Sequence, residues 1–233
     1  MSAFRRSLSG GALRRTALRG MVLVVLGAPA PAGAQLCQGV PLGSGAAAVT
    51  AFLGVADAAS SGAGGAVSYQ LGAPLALSAG YHRTRYDGSD AAVSSLRGGV
   101  AVQGASFGDV GAVHVAICAA AGAARDRVGD LTILSVPVGV AAGLALPLAP
   151  RTHAVLHVEP RVVFTRREVA GFSRSTRFMG VRGGATLAWR GLFAGVAHER
   201  ERARSADSST ILLVGVRIGG SNIAPTMDTG SGP

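Results

Sequence analysis

The stretch Thr152-His-Ala-Val-Leu-His-Val-Glu-Pro-Arg-Val-Val-Phe-Thr-Arg-Arg167 divides by parity. Ala154, Leu156, Val158, Pro160, Val162 and Phe164 fall on one set, and His153, Val155, His157, Glu159, Arg161, Val163 and Thr165 on the other. Successive side chains of a strand point to opposite faces, so a period of two reads as one strand with two environments. A face carrying His, Glu and Arg behind an unbroken apolar face suits a wall between lipid and a polar lumen.

The same division recurs along the chain. Leu75, Leu77, Ala79 and Tyr81 oppose Ala76, Ser78, Gly80, His82 and Thr84. Between Leu134 and Leu146 the outward set is Leu and Val, while the inward set Ser135, Pro137, Gly139, Ala141, Gly143 and Ala145 is small, as a narrow barrel requires. Met179, Val181, Leu187 and Trp189 oppose Arg182, Gly184 and Thr186, and Leu212, Val214, Val216 and Ile218 oppose Leu213, Gly215 and Arg217. On this parity Val214→Arg is expected to be far more damaging than Gly215→Ser.

Counting such segments predicts strands over 46–54, 64–71, 74–86, 92–103, 111–123, 131–146, 152–167, 175–189, 191–200 and 209–219. Compact connections (Gly72–Pro74, Gly104–Val110, Pro147–Pro150, Arg190–Gly191) alternate with polar, longer ones (Asp57–Gly65, Asp87–Asp90, Arg125–Asp130, Glu168–Ser173, Glu201–Ser208). Short turns at one end and long loops at the other mark an outer-membrane barrel. The expected fold is all-β: a transmembrane antiparallel up-and-down β-barrel of ten strands. Eight stays open as the alternative, because the first two segments are rich in Gly and Ala and could form a plug.

The first 34 residues read as a secretory leader: basic Arg5, Arg6, Arg14, Arg15 and Arg19, an apolar run Met21–Leu26, then Ala32-Gly33-Ala34. The run is too short to cross a bilayer as a helix. Cleavage after Ala34 starts the mature chain at Gln35. Cys37 lies too far from that cut for lipidation, and neither Arg pair is followed by the apolar pair of a twin-arginine signal. The organisation expected is a signal peptide (1–34), a periplasmic N-terminal segment (35–45), a barrel (46–220) and a polar C-terminal tail (221–233). The formal charge of +10 includes the five leader arginines, leaving +5. All 22 basic residues are Arg, and they are scattered rather than striped, unlike a nucleic-acid footprint. The chain is 48% hydrophobic and 15% charged, yet holds no apolar run of transmembrane-helix length.

Across most of residues 46–219 the chain resembles the outer-membrane β-barrel domain family, the small porin-like barrels of eight to ten strands. The most family-like stretch is Leu131-Thr-Ile-Leu-Ser-Val-Pro-Val-Gly-Val140. The last strand ends Ile218-Gly219-Gly220 where such proteins usually end on an aromatic residue. Tyr69, Tyr81, Phe164 and Trp189 are the outward candidates for a partial interfacial girdle.

His153, His157, Glu159 and Arg161 share one face of a strand and could bind metal or form an acid–base pair, but neighbours two apart on a strand stand roughly 7 Å apart. The plainer reading is a lumen cluster neutralised by Arg97, Arg182 and Arg217. His198-Glu199 point to opposite faces, and His82 with Ser78 has no distinguishing context. No catalytic residue, cofactor or metal ligand is therefore assigned. Arg83, Arg85, Arg166 and Arg177 take the lipid-facing parity at loop ends, where guanidinium groups can bind lipid phosphates or simply snorkel.

Cys37 and Cys118 are the two cysteines, and export would place them in an oxidising compartment. Val113, Val115 and Ile117 point outward, so Cys118 points inward, and the chain ahead of the first strand is long enough to enter the barrel mouth. A Cys37–Cys118 disulfide pinning the N-terminus in the lumen is expected, against two separate thiols.

The expected function is an integral outer-membrane protein with a structural or surface-interaction role and no catalysis. A narrow pore or lipid-handling transporter is the second reading, and an enzyme acting on lipid A or peptides the third. The partners implied are outer-membrane lipid and the export and barrel-assembly machinery; no nucleic acid is implied and no loop ligand can be named.

Overall fold

A computed structural model describes residues 36–40, 45–56, 60–72, 74–86, 92–107, 113–149, 151–201 and 207–219. The leader, the tail beyond Gly219 and Gln35 lie outside them.

Ten strands form a closed barrel: β1 (Ala47–Ala56), β2 (Ser60–Gln70), β3 (Leu75–Tyr86), β4 (Ala92–Phe107), β5 (His114–Val128), β6 (Leu131–Ala149), β7 (Thr152–Val169), β8 (Phe172–Trp189), β9 (Leu192–Glu201) and β10 (Asp207–Ile218). Every pairing is antiparallel between chain neighbours, and β1 closes on β10 from Ala47↔Ile218 to Ala56↔Ser209. All ten expected segments are wall strands. The Gly-Ala-rich first pair is no plug: its small inward residues make room, and at Gly64 a Cβ would run into the Tyr81 carbonyl, the His82 Cβ and the Phe52 ring.

The inside–outside parities hold throughout. On β7, Leu156, Val158 and Phe164 are exposed outward while Val155, His157, Arg161, Val163 and Thr165 are buried inward. Tyr69, Tyr81, Phe164 and Trp189 all stand outward and exposed. Val214 is 58% exposed on the outer wall. Gly215 faces inward as expected, but it has no room for a side chain, because a Cβ would meet the Phe193 ring and the Val49 carbonyl. The expected tolerance of Gly215→Ser is therefore corrected: the lumen at this level is packed, not open.

One end of the barrel carries the start of β1 and the end of β10; the other carries the β1–β2, β3–β4, β5–β6, β7–β8 and β9–β10 hairpins. Two of the expected long loops are not loops. β5 and β6 run on to a turn at Gly129-Asp130, and β7 and β8 to Ala170-Gly171. Both central residues of the latter are left-handed (φ 47° and 83°), which matches the twist of the flanking strands, as at Arg190-Gly191 (φ 49° and 90°). The error has a physical cause: Arg125, Arg127, Arg166 and Glu168 keep the alternation, and polarity marks the end of the apolar band, not of the strand.

The wall is uneven. β6, β7 and β8 have 19, 18 and 18 residues, whereas β1 and β9 have 10. β8 pairs with β9 only from Gly180↔Glu201, so among the described residues its stretch from Phe172 to Met179 has β7 alone beside it.

The core is the lumen. A 3₁₀ turn, Leu36–Gln38, lies inside, with Leu36 and Cys37 buried among Ala76, Ala101, Ala116, Cys118, Ala141, Ala145 and Val155. Phe193 fills the neighbouring space with Ala46, Ala48 and Ala188. Small inward residues are what allow a second layer of chain inside so narrow a barrel.

Candidate functional site

The N-terminal segment is fixed in the lumen at three points. Cys37 and Cys118 form the expected disulfide, with Cα atoms 6.2 Å apart. The Thr186 hydroxyl donates to the Gly39 carbonyl at 2.9 Å. Gly143 on β6 leaves the gap in which the Leu36–Cys37 backbone lies, since a Cβ there would strike the Leu36 carbonyl group and the Cys37 nitrogen. Gly39 adopts φ +75° against the His157 ring, a conformation and a contact that both favour glycine.

The expected lumen cluster is split by this segment into levels. His153, toward the terminus end, lies within electrostatic reach of Arg217 and His114. His157, buried, packs on Gly39 and Gly184. Glu159, Arg161, Arg97 and Arg182 lie on the hairpin side of the segment. Glu159 is directly opposite Arg182, which is directly opposite Glu199 on β9. Arg161 donates to the carboxylates of Glu199 and Glu201, the latter at 3.2 Å. Arg97 Nε donates to the Ser95 hydroxyl at 3.2 Å, and Ser95 sits between His82 and Asp126 in the register.

So Arg161 is balanced by β9, not by its own strand. The sequence reading missed Glu199 and Glu201, although Phe193, Gly195, Ala197, Glu199 and Glu201 form a regular inward set. His198 and Glu199 face apart, as their parity requires: His198 is outward, its Nδ1 3.1 Å from the Thr210 hydroxyl. Ser78 spends its hydroxyl weakly on the Gly99 carbonyl at 3.5 Å.

Arg83, Arg85, Arg166 and Arg177 are outward and exposed at the hairpin end, as expected. Arg166, however, is engaged by Glu168, with Nε 2.7 Å from Oε1. Arg125 and Arg127 on β5 and Arg200 on β9 are outward too. Arg125 and Arg127 fall in the stretch 125–130, whose polarity marks it as loop in the sequence, while Arg200 ends the expected strand 191–200.

No family model matches the chain, and no curated protein matches it. Solved structures of similar shape include the translocator domain of the autotransporter NalP from Neisseria meningitidis (10% identity, 76% of this chain and 89% of that one, TM-score 0.46). LpxR from Salmonella typhimurium (9% identity, 74% and 99%, TM-score 0.45) and the N-terminal β-barrel domain of Pseudomonas aeruginosa OprF (12% identity, 75% and 98%, TM-score 0.35) are others. At such identities and scores these proteins say nothing of what this chain does, and the barrel rests on its own register.

Proposed function

We propose that the chain is an integral outer-membrane protein with a structural and surface-interaction role, without catalysis and without an open solute path. It would reach that membrane through the export and barrel-assembly machinery and sit with its termini in the periplasm and its hairpin end outside. The outward band of Leu, Val and Phe side chains over an inward polar set supports residence in lipid. The single observation that carries the closed-lumen reading is the segment Leu36–Val40, seated in the barrel and tied to β5 by Cys37–Cys118. A barrel of this strand number is filled by side chains even without such a segment. Here the segment is added to that filling, and the Arg161–Glu199–Glu201 cluster occupies the hairpin side.

The test is conductance of the full-length, oxidised protein in a planar bilayer, after its residence in the outer-membrane fraction and its heat-modifiable gel mobility have been established. The expected result is a silent bilayer. Stable channel steps from the oxidised protein would refute the closed lumen.

A further inference from the structure

The outward charges at the hairpin end are unevenly spread: β1, β2 and β10 carry none among the described residues, β7, β8 and β9 carry one arginine each that stands alone or beside Glu168, and β3–β5 carry a cluster. On β1, β2 and β10 the outward positions there are Leu53, Val55, Ser61, Ala63, Thr210 and Leu212, none of them charged. On β3–β5 two successive rows of the wall are different. One runs Tyr81, Leu96, Arg125, Leu134; the next, nearer the hairpins, runs Arg83, Ser94, Arg127, Thr132, with Arg85 one step further along β3.

Resting on the outer-membrane reading above, we propose that Arg83, Ser94 and Arg127, with Arg85 and Arg125 beside them, form a binding site for the phosphate group of an outer-leaflet lipid. Arg83 and Arg127 flank Ser94 two strands apart, about 10 Å between backbones, so both side chains can lean over its hydroxyl. Guanidinium groups bind phosphate oxygens in pairs of charge-assisted hydrogen bonds. Tyr81 donates its hydroxyl to Ser94 Oγ at 3.2 Å from the row below, which fixes the floor of the site.

The height suits a headgroup rather than an acyl chain. Directly below the arginines lie exposed Tyr81, Leu96 and Leu134, an aromatic and aliphatic surface that continues into the outer wall. Among residues whose side chains are described, Glu168 is the one carboxylate on the outward face of a strand, and it is engaged by Arg166. Arg166, Arg177 and Arg200 stand singly on β7, β8 and β9, as snorkelling anchors would, whereas Arg83 and Arg127 fall in one row on either side of a hydroxyl, with Arg85 and Arg125 beside them, as a phosphate ligand requires.

The experiment uses the full-length oxidised protein in zwitterionic detergent micelles, with lipid A as the probe and native mass spectrometry reading occupancy. Arg83→Gln/Arg127→Gln is compared with Arg177→Gln/Arg200→Gln, which removes the same charge elsewhere on the rim. The first pair should weaken lipid A binding by about tenfold or more and the second by less than about threefold. Equal losses from both pairs would overturn the site. So would undiminished binding of dephosphorylated lipid A, and displacement by millimolar inorganic phosphate would assign the patch to free phosphate instead. Binding in micelles is read independently of cell fractionation, so failure of the location and failure of the site give different results.

Discussion

Arg161→Met is expected to destabilise the folded barrel by about 3 kcal/mol, the lower end of the cost of leaving a buried ionic partner uncompensated. The lower end applies for two reasons found in the lumen. The Glu199 side chain is only 13% exposed but Glu201 is 30% exposed, so water reaches the second carboxylate. Arg182, opposite Glu199 in the register, takes up part of the charge left behind. The damage comes from the stranded carboxylates, not from the lost arginine contacts, so adding Glu199→Gln and Glu201→Gln to Arg161→Met should recover most of the loss. Urea unfolding in lipid vesicles, followed by the fluorescence of the sole tryptophan, Trp189, reads all three proteins. A shift below about 1 kcal/mol for Arg161→Met, the scale of an exposed pair, would refute the view that this cluster is a buried neutralised filling.

Cys118→Ser should remove up to about 4.5 kcal/mol, the chain-entropy figure for a cross-link spanning 81 residues. Its premise fails if mass spectrometry of the unreduced, alkylated wild-type protein finds two alkyl groups. Gly143→Val should expel the Leu36–Cys37 backbone from its gap, and trypsin would then cleave nothing new but iodoacetamide would label both cysteines; an intact disulfide with unchanged unfolding would contradict the seating described. Val214→Arg sends a charge into hydrocarbon at a cost of ~2–4 kcal/mol, and Gly215→Ser should now be comparably harmful because of Phe193. Folded yield on unboiled gels compares them, with Val214→Leu as the tolerated control.

How far the sequence carried depends on which physical signal each feature leaves. Parity survives in single residues, so Leu156 against His157 or Val214 against Gly215 fixed the two faces without any neighbour. The disulfide was legible for the same reason, since Cys118 falls on the inward parity of β5 and one other cysteine exists. What parity cannot supply is who stands opposite. Arg161 meets Glu199 and Glu201 only because β7, β8 and β9 lie in a particular register, and no residue of the sequence announces that stagger. Packing density was equally silent: Gly215 and Gly143 look like neutral small positions until Phe193 and the Leu36 backbone are placed against them. Loop boundaries failed where Arg125, Arg127 and Glu168 make strand look like loop.

The uneven wall has a consequence for how barrels meet one another. Among the described residues no strand lies on the β9 side of β8 from Phe172 to Met179, and an exposed strand edge is a template for pairing with another chain. Phe172, 79% exposed, would favour such a meeting. Arg174 and Arg177 stand on the same edge, and two copies brought edge to edge would set these charges against each other. On this reasoning the arginines oppose edge-to-edge association of barrels. Arg174→Val/Arg177→Val should turn a protein that cross-links as a monomer into one that cross-links as dimers and larger chains, and a variant that stays monomeric at high density would show that this edge needs no guard.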